Sequence, residues 1–234
     1  MIYLLSQKKI GFPPVSEAED DGLLALGGDL RPERLIQAYK AGIFPWYSED
    51  STLEYQGSKI LWWSPDPRCV IFPEKVHISR SMRKILKSNV FKITVNKAFP
   101  KVISRCRHEV RTNQEGTWIT DDMENAYNRL NVLGYATSVE AWLNGTDELV
   151  GGLYGVVLGK VFFGESMFSI YPNASKAAFI TFMELLCDAG FKVVDCQVET
   201  SHLCSLGAEM ISREKFVEII SEAANCSQPE LIMQ

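Results

Sequence analysis

Long apolar runs and an excess of positive charge are both missing from this sequence. No stretch approaches the roughly 20 consecutive apolar residues of a transmembrane helix. The first apolar run, in MIYLLSQKKIGF, is too short for a secretory signal, and its lysines follow the run instead of preceding it. The net charge is −5, with 24 Lys and Arg against 29 Asp and Glu. We therefore expect a cytoplasmic protein without membrane contact and without a generally basic surface, although a local basic patch remains open.

Metal-ligand and dinucleotide signatures are scarce as well. The three histidines lie far apart, and the pair His202 and Cys204 is by itself a weak metal-ligand signal. The six cysteines form no C-x-x-C pair, which favours reduced thiols in a cytosolic protein. Glycines at 151, 152 and 155 lie inside a strand pattern and lack the G-x-G-x-x-G spacing. The sequence therefore predicts neither a metal centre nor a cofactor.

The stretch from residue 149 to residue 198 has the clearest pattern. Two apolar runs, 149–158 and 160–163, flank Gly159 and predict a β-hairpin. A helix is expected over 176–189 and a returning strand over 192–198. Strands and helices alternate from residue 68 onward, so the sequence predicts an α+β fold around one sheet.

Polar groups interrupt this apolar stretch at three positions. Glu165 is expected at the end of the second hairpin strand, where the chain leaves the sheet. Strand alternation predicts that Asp195 and Gln197 share one face and that Cys196 packs on the other. Buried carboxylates are costly unless paired, and Lys192 is the one basic residue close to Asp195 in the sequence. Either backbone amides satisfy the acid, or the group forms an acidic pocket that holds an amine and accepts its proton.

The densest basic run follows Ser79, which is expected to cap a helix. It contains Arg80, Arg83 and Lys84, and it is either a solvated face or a surface that contacts phosphates. Four of the five tryptophans precede residue 120, as core residues or as a stacking platform. A polar loop is expected over 105–116, irregular structure over 201–207, and a last helix from Ser212 through Ile220.

Several long motifs resemble one known family. They include GLLALGGDL at 22–30, AYKAGIFPW at 38–46, LWWSPDPR at 61–68, HISRSM at 77–82, GTWI at 116–119, VGGLYG at 150–155, FGESMFS at 163–169, NASK at 173–176 and DCQ at 195–197. In this order, over nearly the whole chain, they are similar to leucyl/phenylalanyl-tRNA–protein transferases. The match is highly specific because several of these motifs are long and unusual.

The resemblance implies a fold, an activity and a set of partners. It implies a small N-terminal α/β domain, residues 1–70, followed by a larger GNAT-like (acetyltransferase-related) mixed-sheet domain, residues 71–234. It also implies transfer of Leu, Phe or, less readily, Met from aminoacyl-tRNA to proteins with N-terminal Arg or Lys, which marks them for degradation. No cofactor is implied. We expect a monomer, because no helix is an obvious dimer contact.

The resemblance also implies residue roles. Asp195 and Gln197 correspond to residues assigned to catalysis, and Glu165 to a residue at the reacting amino groups. The donor aminoacyl and adenosine site falls on Tyr39, Trp46, Trp118, Tyr127, Leu153, Phe179 and Phe182. Leu153 departs from a frequent methionine, which could alter the depth of the side-chain pocket. Placed in this context, Arg80, Arg83 and Lys84 become the candidate tRNA-binding residues.

The chemistry needs little beyond alignment, because an aminoacyl ester is already activated. We hypothesise that Asp195 orients Gln197 and that Gln197 contacts the attacking amine, while the proton leaves through Asp195 or the ribose hydroxyl. The main rival is a GNAT-type acyltransferase that uses acyl-CoA. It would need a Gly-rich pyrophosphate loop before the central helix, where this chain has YPNASK. A non-catalytic tRNA-binding module is the third interpretation.

Overall fold

The structure is a computed structural model, and it describes residues 2–47, 54, 57–109 and 119–231. The strands are β1 Tyr3–Leu5, β2 Leu23–Gly27, β3 Phe44–Tyr47, β4 Ile60–Trp63, β5 Arg68–Ile71, β6 Phe91–Val95, β7 Ala136–Leu143, β8 Leu149–Leu158, β9 Val161–Ser169, β10 Val193–Gln197 and β11 Glu209–Ile211. The helices are α1 Pro32–Lys40, α2 Arg80–Lys87, α3 Phe99–His108, α4 Asp121–Val132, α5 Ala174–Asp188, α6 Ser201–Ser205 and α7 Arg213–Ala223. None of these helices is long and apolar enough to cross a membrane.

The strands form two mixed sheets. The smaller has the order β1-β2-β4-β3, with a parallel β1–β2 pair and antiparallel neighbours. The larger has the order β11-β5-β10-β9-β8-β7-β6. Its β9 and β10 run parallel, and α5 connects them, as a parallel pair requires. The prediction of mixed helices and strands around one sheet from residue 68 onward is confirmed, because all described strands from β5 to β11 belong to the larger sheet.

One apolar core joins the two sheets. Tyr39 of α1 and Trp62 of β4 belong to the same buried cluster as Phe163 of β9 and Phe216 of α7. A second cluster lies on the opposite side of the large sheet, where α5 covers the strands with Phe179, Phe182 and other apolar side chains. The large sheet is therefore buried on both faces, and its interior strand β8 is buried at every position.

Local signals place most elements correctly. Ser79 and Thr120 cap α2 and α4, with side-chain oxygens that accept from the amides of Met82 (3.2 Å) and Met123 (3.3 Å). Pro32 begins α1, and Gly42 follows its end with a φ of 76°.

Four boundary predictions are wrong. Strand β9 continues to Ser169, so the chain does not leave the sheet at Glu165. The expected loop from residue 105 is helical through His108, and residues 110–116 of it lie outside the described residues. Residues 201–205 form α6, and α7 continues to Ala223. In each case tertiary packing or a side-chain cap extends an element beyond the local pattern.

Candidate functional site

A cavity of about 720 Å³ opens beside the centre of the large sheet. Strands β8, β9 and β10 form its floor, and α5 and α6 form its walls. Its apolar side includes Leu153, Phe162, Met167, Phe168 and Phe179. Its polar side includes Glu165, Ser166, Gln197, Thr200 and His202. A volume of this size with an apolar wall and a few polar groups suits a small organic ligand or one end of a larger one.

A β-bulge aims Glu165 into this site. The β8–β9 ladder pairs Tyr154 with Ser166 and then Gly155 with Gly164, so Glu165 is the extra residue. Gly155 is needed opposite the bulge, because a Cβ there would lie 2.2 Å from the Phe163 carbonyl oxygen. The glycine therefore permits the bulge that turns the carboxyl group out of the regular strand alternation.

Two tyrosine hydroxyls close a ring with the Glu165 carboxyl group. Tyr39 Oη lies 2.6 Å from Oε1, Tyr127 Oη lies 2.8 Å from Oε2, and the two phenol oxygens are 2.5 Å apart. Three oxygen contacts need three protons, and the two phenols supply two of them. The ring is fully hydrogen-bonded only when the carboxyl group carries the third proton.

The electrostatics of Glu165 agree with this proton count. Burial raises the pKa of the carboxyl group from 4.5 to about 7, against the opposing effect of the hydrogen bonds from Tyr39 and Tyr127. The pKa of each tyrosine is raised well above its usual value, first by burial and then by the Glu165 charge. Glu165 therefore changes its charge near neutral pH, and the two phenols remain protonated.

Asp195 is paired with a residue from a different strand. It is fully buried. Its Oδ1 accepts a hydrogen bond from Arg68 Nε at 2.8 Å, and its Oδ2 accepts one from Arg68 Nη2 at 2.7 Å. This guanidinium partner is neither of the two alternatives predicted from the sequence, an acid satisfied by backbone amides or an acidic pocket for an amine. Arg68 lies on β5, which pairs with β10 in the sheet although 127 residues separate the two side chains in the chain.

Gln197 reaches the cavity because strand alternation fails at this point. The β10–β5 register shifts between Asp195 and Gln197, and Gln197 has a φ of 58°, in the left-handed region. Gln197 and Cys196 line the cavity, whereas Asp195 does not. The predicted shared face of Asp195 and Gln197 is therefore wrong. Cys196 does lie on the opposite face from Asp195, as predicted, and packs against the apolar cluster that contains Val194. Gln197 Nε2 donates to the Gly164 carbonyl oxygen at 2.8 Å, which fixes the amide beside Glu165.

Comparisons with known proteins show the family of this chain. The family described as leucyl/phenylalanyl-tRNA protein transferase matches residues 70–221, and the N-terminal domain of the same family matches residues 28–66. The chain belongs to the leucyl/phenylalanyl-tRNA protein transferase family. A leucyl/phenylalanyl-tRNA–protein transferase of Syntrophobacter fumaroxidans is 52% identical over 221 residues, covering 94% of this chain and 90% of the relative. One of Flavobacterium johnsoniae is 53% identical over 220 residues, covering 94% and 99%.

Membership in the transferase family identifies the chain as an aminoacyltransferase. Among solved structures, one titled "The structure of L-PGS from Bacillus licheniformis" aligns with 76% of this chain and 54% of its own. Its TM-score is 0.40 at 10% identity.

The residues expected at the donor site occupy three kinds of position. Leu153 and Phe179 line the cavity. Tyr39 and Tyr127 are fully buried beneath it and touch Glu165. Phe182 is fully buried, with its ring 4.9 Å from that of Phe162, so it supports the cavity wall from behind.

Of the two tryptophans of the expected donor site, the structure describes Trp46. Trp46 lies on β3 of the small sheet, is 38% exposed, and is absent from the lining. Trp118 lies outside the described residues. The donor role of all seven residues stays a prediction.

The candidate tRNA-binding residues lie together on the exposed side of α2. Arg80, Arg83 and Lys84 are exposed, while Met82 packs into the core. The ion pairs found in the described part of the chain do not include these three cations. Their charges are therefore available to a phosphate backbone, and the role itself stays a prediction.

Sequence reasoning missed two participants of the site. Arg68 begins a short apolar strand, and a buried strand that starts with arginine is the signal that could have indicated a paired carboxylate. His202 was weighed only as a weak metal ligand. It lines the cavity, and burial, followed by the charge of Lys176, lowers its pKa, so its ring is neutral at pH 7.

Proposed function

We propose that this transferase moves Leu, Phe or, less readily, Met from aminoacyl-tRNA to the α-amine of proteins that begin with Arg or Lys. The modified proteins would then be marked for degradation. The observation that carries this proposal is the cavity, in which an apolar wall stands beside the polar groups of Glu165 and Gln197. The apolar wall suits a Leu or Phe side chain, and the polar groups suit the amines that must meet at the ester.

The apolar wall supplies the donor selectivity in this proposal. Leu153 and Phe179 contact the aminoacyl side chain, and Phe182 keeps Phe162 in place behind them. A pocket of this kind distinguishes side chains by about 1–3 kcal/mol for each methylene-sized misfit. Leu153 therefore helps to set the balance between Leu, Phe and Met donors.

Peptide-bond formation proceeds by aminolysis of the ester. The neutral α-amine of the acceptor attacks the ester carbonyl, a C–N bond forms, and the C–O bond to the ribose breaks. Gln197, held at Gly164, and Glu165 bind the reacting amino groups. Asp195 is enclosed by Arg68 and does not reach the cavity, so we assign the released proton to the departing ribose oxygen.

The remaining parts of the proposal concern the whole protein. The small sheet and α1 fall in the proposed N-terminal domain, residues 1–70, and the large sheet falls mainly in the proposed catalytic domain, residues 71–234. The parallel pair β9–β10, with α5 between its strands, supports a GNAT-like arrangement of that domain. We propose that the protein acts as a cytoplasmic monomer, with α2 on the tRNA side.

A single-turnover transfer assay tests the proposal. The protein is mixed with Leu-tRNA and a peptide that begins with Arg, and the expected product is the peptide with one added leucine, detected by mass spectrometry. Parallel reactions contain a peptide that begins with Gly, or acyl-CoA in place of the tRNA, and they are expected to show no gain. Addition from acyl-CoA alone, or no addition from Leu-tRNA, would overturn the proposal.

A further inference from the structure

The Arg68 side chain is buried and held between two aromatic rings. Its side chain is 1% exposed, and its guanidinium carbon lies 4.8 Å from the ring centre of Phe44 and 4.7 Å from that of Phe216. Phe44 belongs to the small sheet and Phe216 to the last helix. A planar guanidinium between two rings can present only its edge, and that edge faces both oxygens of Asp195.

Asp195 transmits this fixed position to Gln197. Its Oδ1 accepts the Gln197 backbone N–H at 3.0 Å, in addition to the Arg68 Nε–H. Gln197 holds a left-handed backbone conformation, which costs a non-glycine residue about 1–2 kcal/mol. If the hydrogen bond were lost, the strand would relax toward regular alternation, which would turn the Gln197 side chain away from the Cys196 side and out of the cavity.

The ion pair is a costly way to fill a core. A buried salt bridge often contributes little net stability relative to apolar side chains of the same volume. What it supplies here, and apolar side chains could not, is an acceptor oxygen at a fixed place for the Gln197 amide. The geometry thus connects Arg68 to the cavity through two hydrogen bonds, without contact between Arg68 and the cavity itself.

We propose that Arg68 is a positioning residue of the transfer reaction, which holds the Gln197 amide at the cavity by way of Asp195. This inference rests on the proposed function. It adds a residue that touches neither substrate and that acts on the rate of the chemical step. Its loss should therefore lower kcat and leave the KM of each substrate nearly unchanged, because the apolar wall of the cavity and the α2 surface keep their positions.

The test compares Arg68→Lys with Arg34→Lys. Arg34 is also fully buried and also contacts a carboxylate, Asp29, but it lies in α1 with no contact to the cavity. Lysine keeps the charge and loses the two-point contact. We expect Arg68→Lys to lower kcat by about 10- to 100-fold, as displaced reacting groups do, with KM values within about twofold. Arg34→Lys should keep its kcat per folded molecule, although it loses thermal stability.

Three further results decide the matter. In the double variant Arg68→Lys, Asp195→Asn, the loss of kcat should be smaller than the product of the two single losses, because both act on Gln197. A loss equal to the product, or Arg68→Lys kinetics no worse than those of Arg34→Lys, would overturn the inference. If Arg68→Lys does not fold, amide hydrogen exchange in the unaltered protein replaces it: protection of Gln197 equal to that of Val194 supports the link, and free exchange overturns it. An unaltered protein that forms no product would refute the proposed function instead, so the two failures are distinguishable.

Discussion

Glu165, Asp195 and Glu140 are held inside the protein by three different kinds of partner. Two phenols hold Glu165, and a guanidinium holds Asp195. Glu140 is fully buried and accepts from the hydroxyls of Thr94 and Ser138 and from the backbone amides of residues 97 and 98, ahead of α3. The partner decides what each carboxyl group can do, because only Glu165 has partners that are neutral themselves and a place at the cavity.

The charge of Glu165 should control the pH dependence of transfer. We expect the ionised form of Glu165 to bind the amine. Because its pKa is about 7, protonation of Glu165 should lower kcat/KM below pH 7, in addition to any effect of other titrating groups. Glu165→Gln keeps a donor in the hydroxyl ring and cannot ionise. The acid limb of log kcat/KM against pH should therefore be one unit less steep in this variant than in the unaltered protein.

The same pKa gives a signed prediction for stability. The folded-state pKa of Glu165 is raised to about 7 from 4.5, so the folded protein binds more protons between these values than the unfolded chain does. Its contribution to stability is complete below pH 4.5 and is lost as the pH rises to 7, with a slope of at most about 1.4 kcal/mol per pH unit. The free energies of unfolding of the unaltered protein and of Glu165→Gln, measured by urea denaturation and plotted against pH, should diverge over this range. Parallel curves would mean that Glu165 titrates in the folded protein as in the unfolded chain.

Asp195→Asn should slow transfer without releasing the tRNA. The Asn amide has one acceptor oxygen where the carboxylate has two. Its NH2 group must therefore face either Arg68 Nη2 or the pair formed by Arg68 Nε and the Gln197 N–H, and the three hydrogen bonds cannot all be kept. We expect turnover to fall by about 100-fold, with nearly unchanged tRNA affinity in a filter-binding assay. Thermal melting of the same samples corrects for the cost of leaving the Arg68 charge partly unpaired. Turnover equal to that of the unaltered protein would contradict a role for Asp195.

At the scale of elements, α2 should contribute most of the salt dependence of tRNA binding. Replacement of Arg80, Arg83 and Lys84 by Gln should weaken binding and lower the slope of log affinity against log salt by about two to three units, if each cation contacts one phosphate. A matched control removes three exposed lysines elsewhere, Lys8, Lys9 and Lys215, and should change the slope far less. Equal slopes in the unaltered protein and the α2 variant would make this helix an ordinary solvated face.

The elements also show how far local patterns can be trusted. Caps and stop signals are local, so the starts of α2 and α4 and the end of α1 could be predicted from Ser79, Thr120 and Gly42. The bulges at Glu165 and before Gln197 could not, because they depend on pairing with β8 and β5. The sequence therefore pointed to Glu165 and Gln197, which line the cavity, and misplaced the Gln197 side chain relative to Asp195. Arg68 was missed for the same reason, since its contact with Asp195 exists only once β5 lies beside β10.

At the scale of the molecule, the shared core predicts one unfolding event. Tyr39, Trp62 and Phe216 belong to the same buried cluster, although the first two lie in the region of the small sheet and the third in the last helix. We expect a single calorimetric transition whose van't Hoff and calorimetric enthalpies agree. Phe216→Ala should lower its midpoint without splitting it, at a cost of about 3–5 kcal/mol. Two resolved transitions would mean that residues 1–70 and the remainder are independent folding units.

The packing of Arg68 also bears on the biosynthesis of the protein. Its guanidinium lies between the rings of Phe44, on β3, and Phe216, on α7. The two phenols that hold Glu165 come from α1 and α4. The ribosome makes these segments in succession, and contacts between distant segments form late in folding. A nascent chain therefore cannot complete its transfer site until Phe216 has left the ribosome.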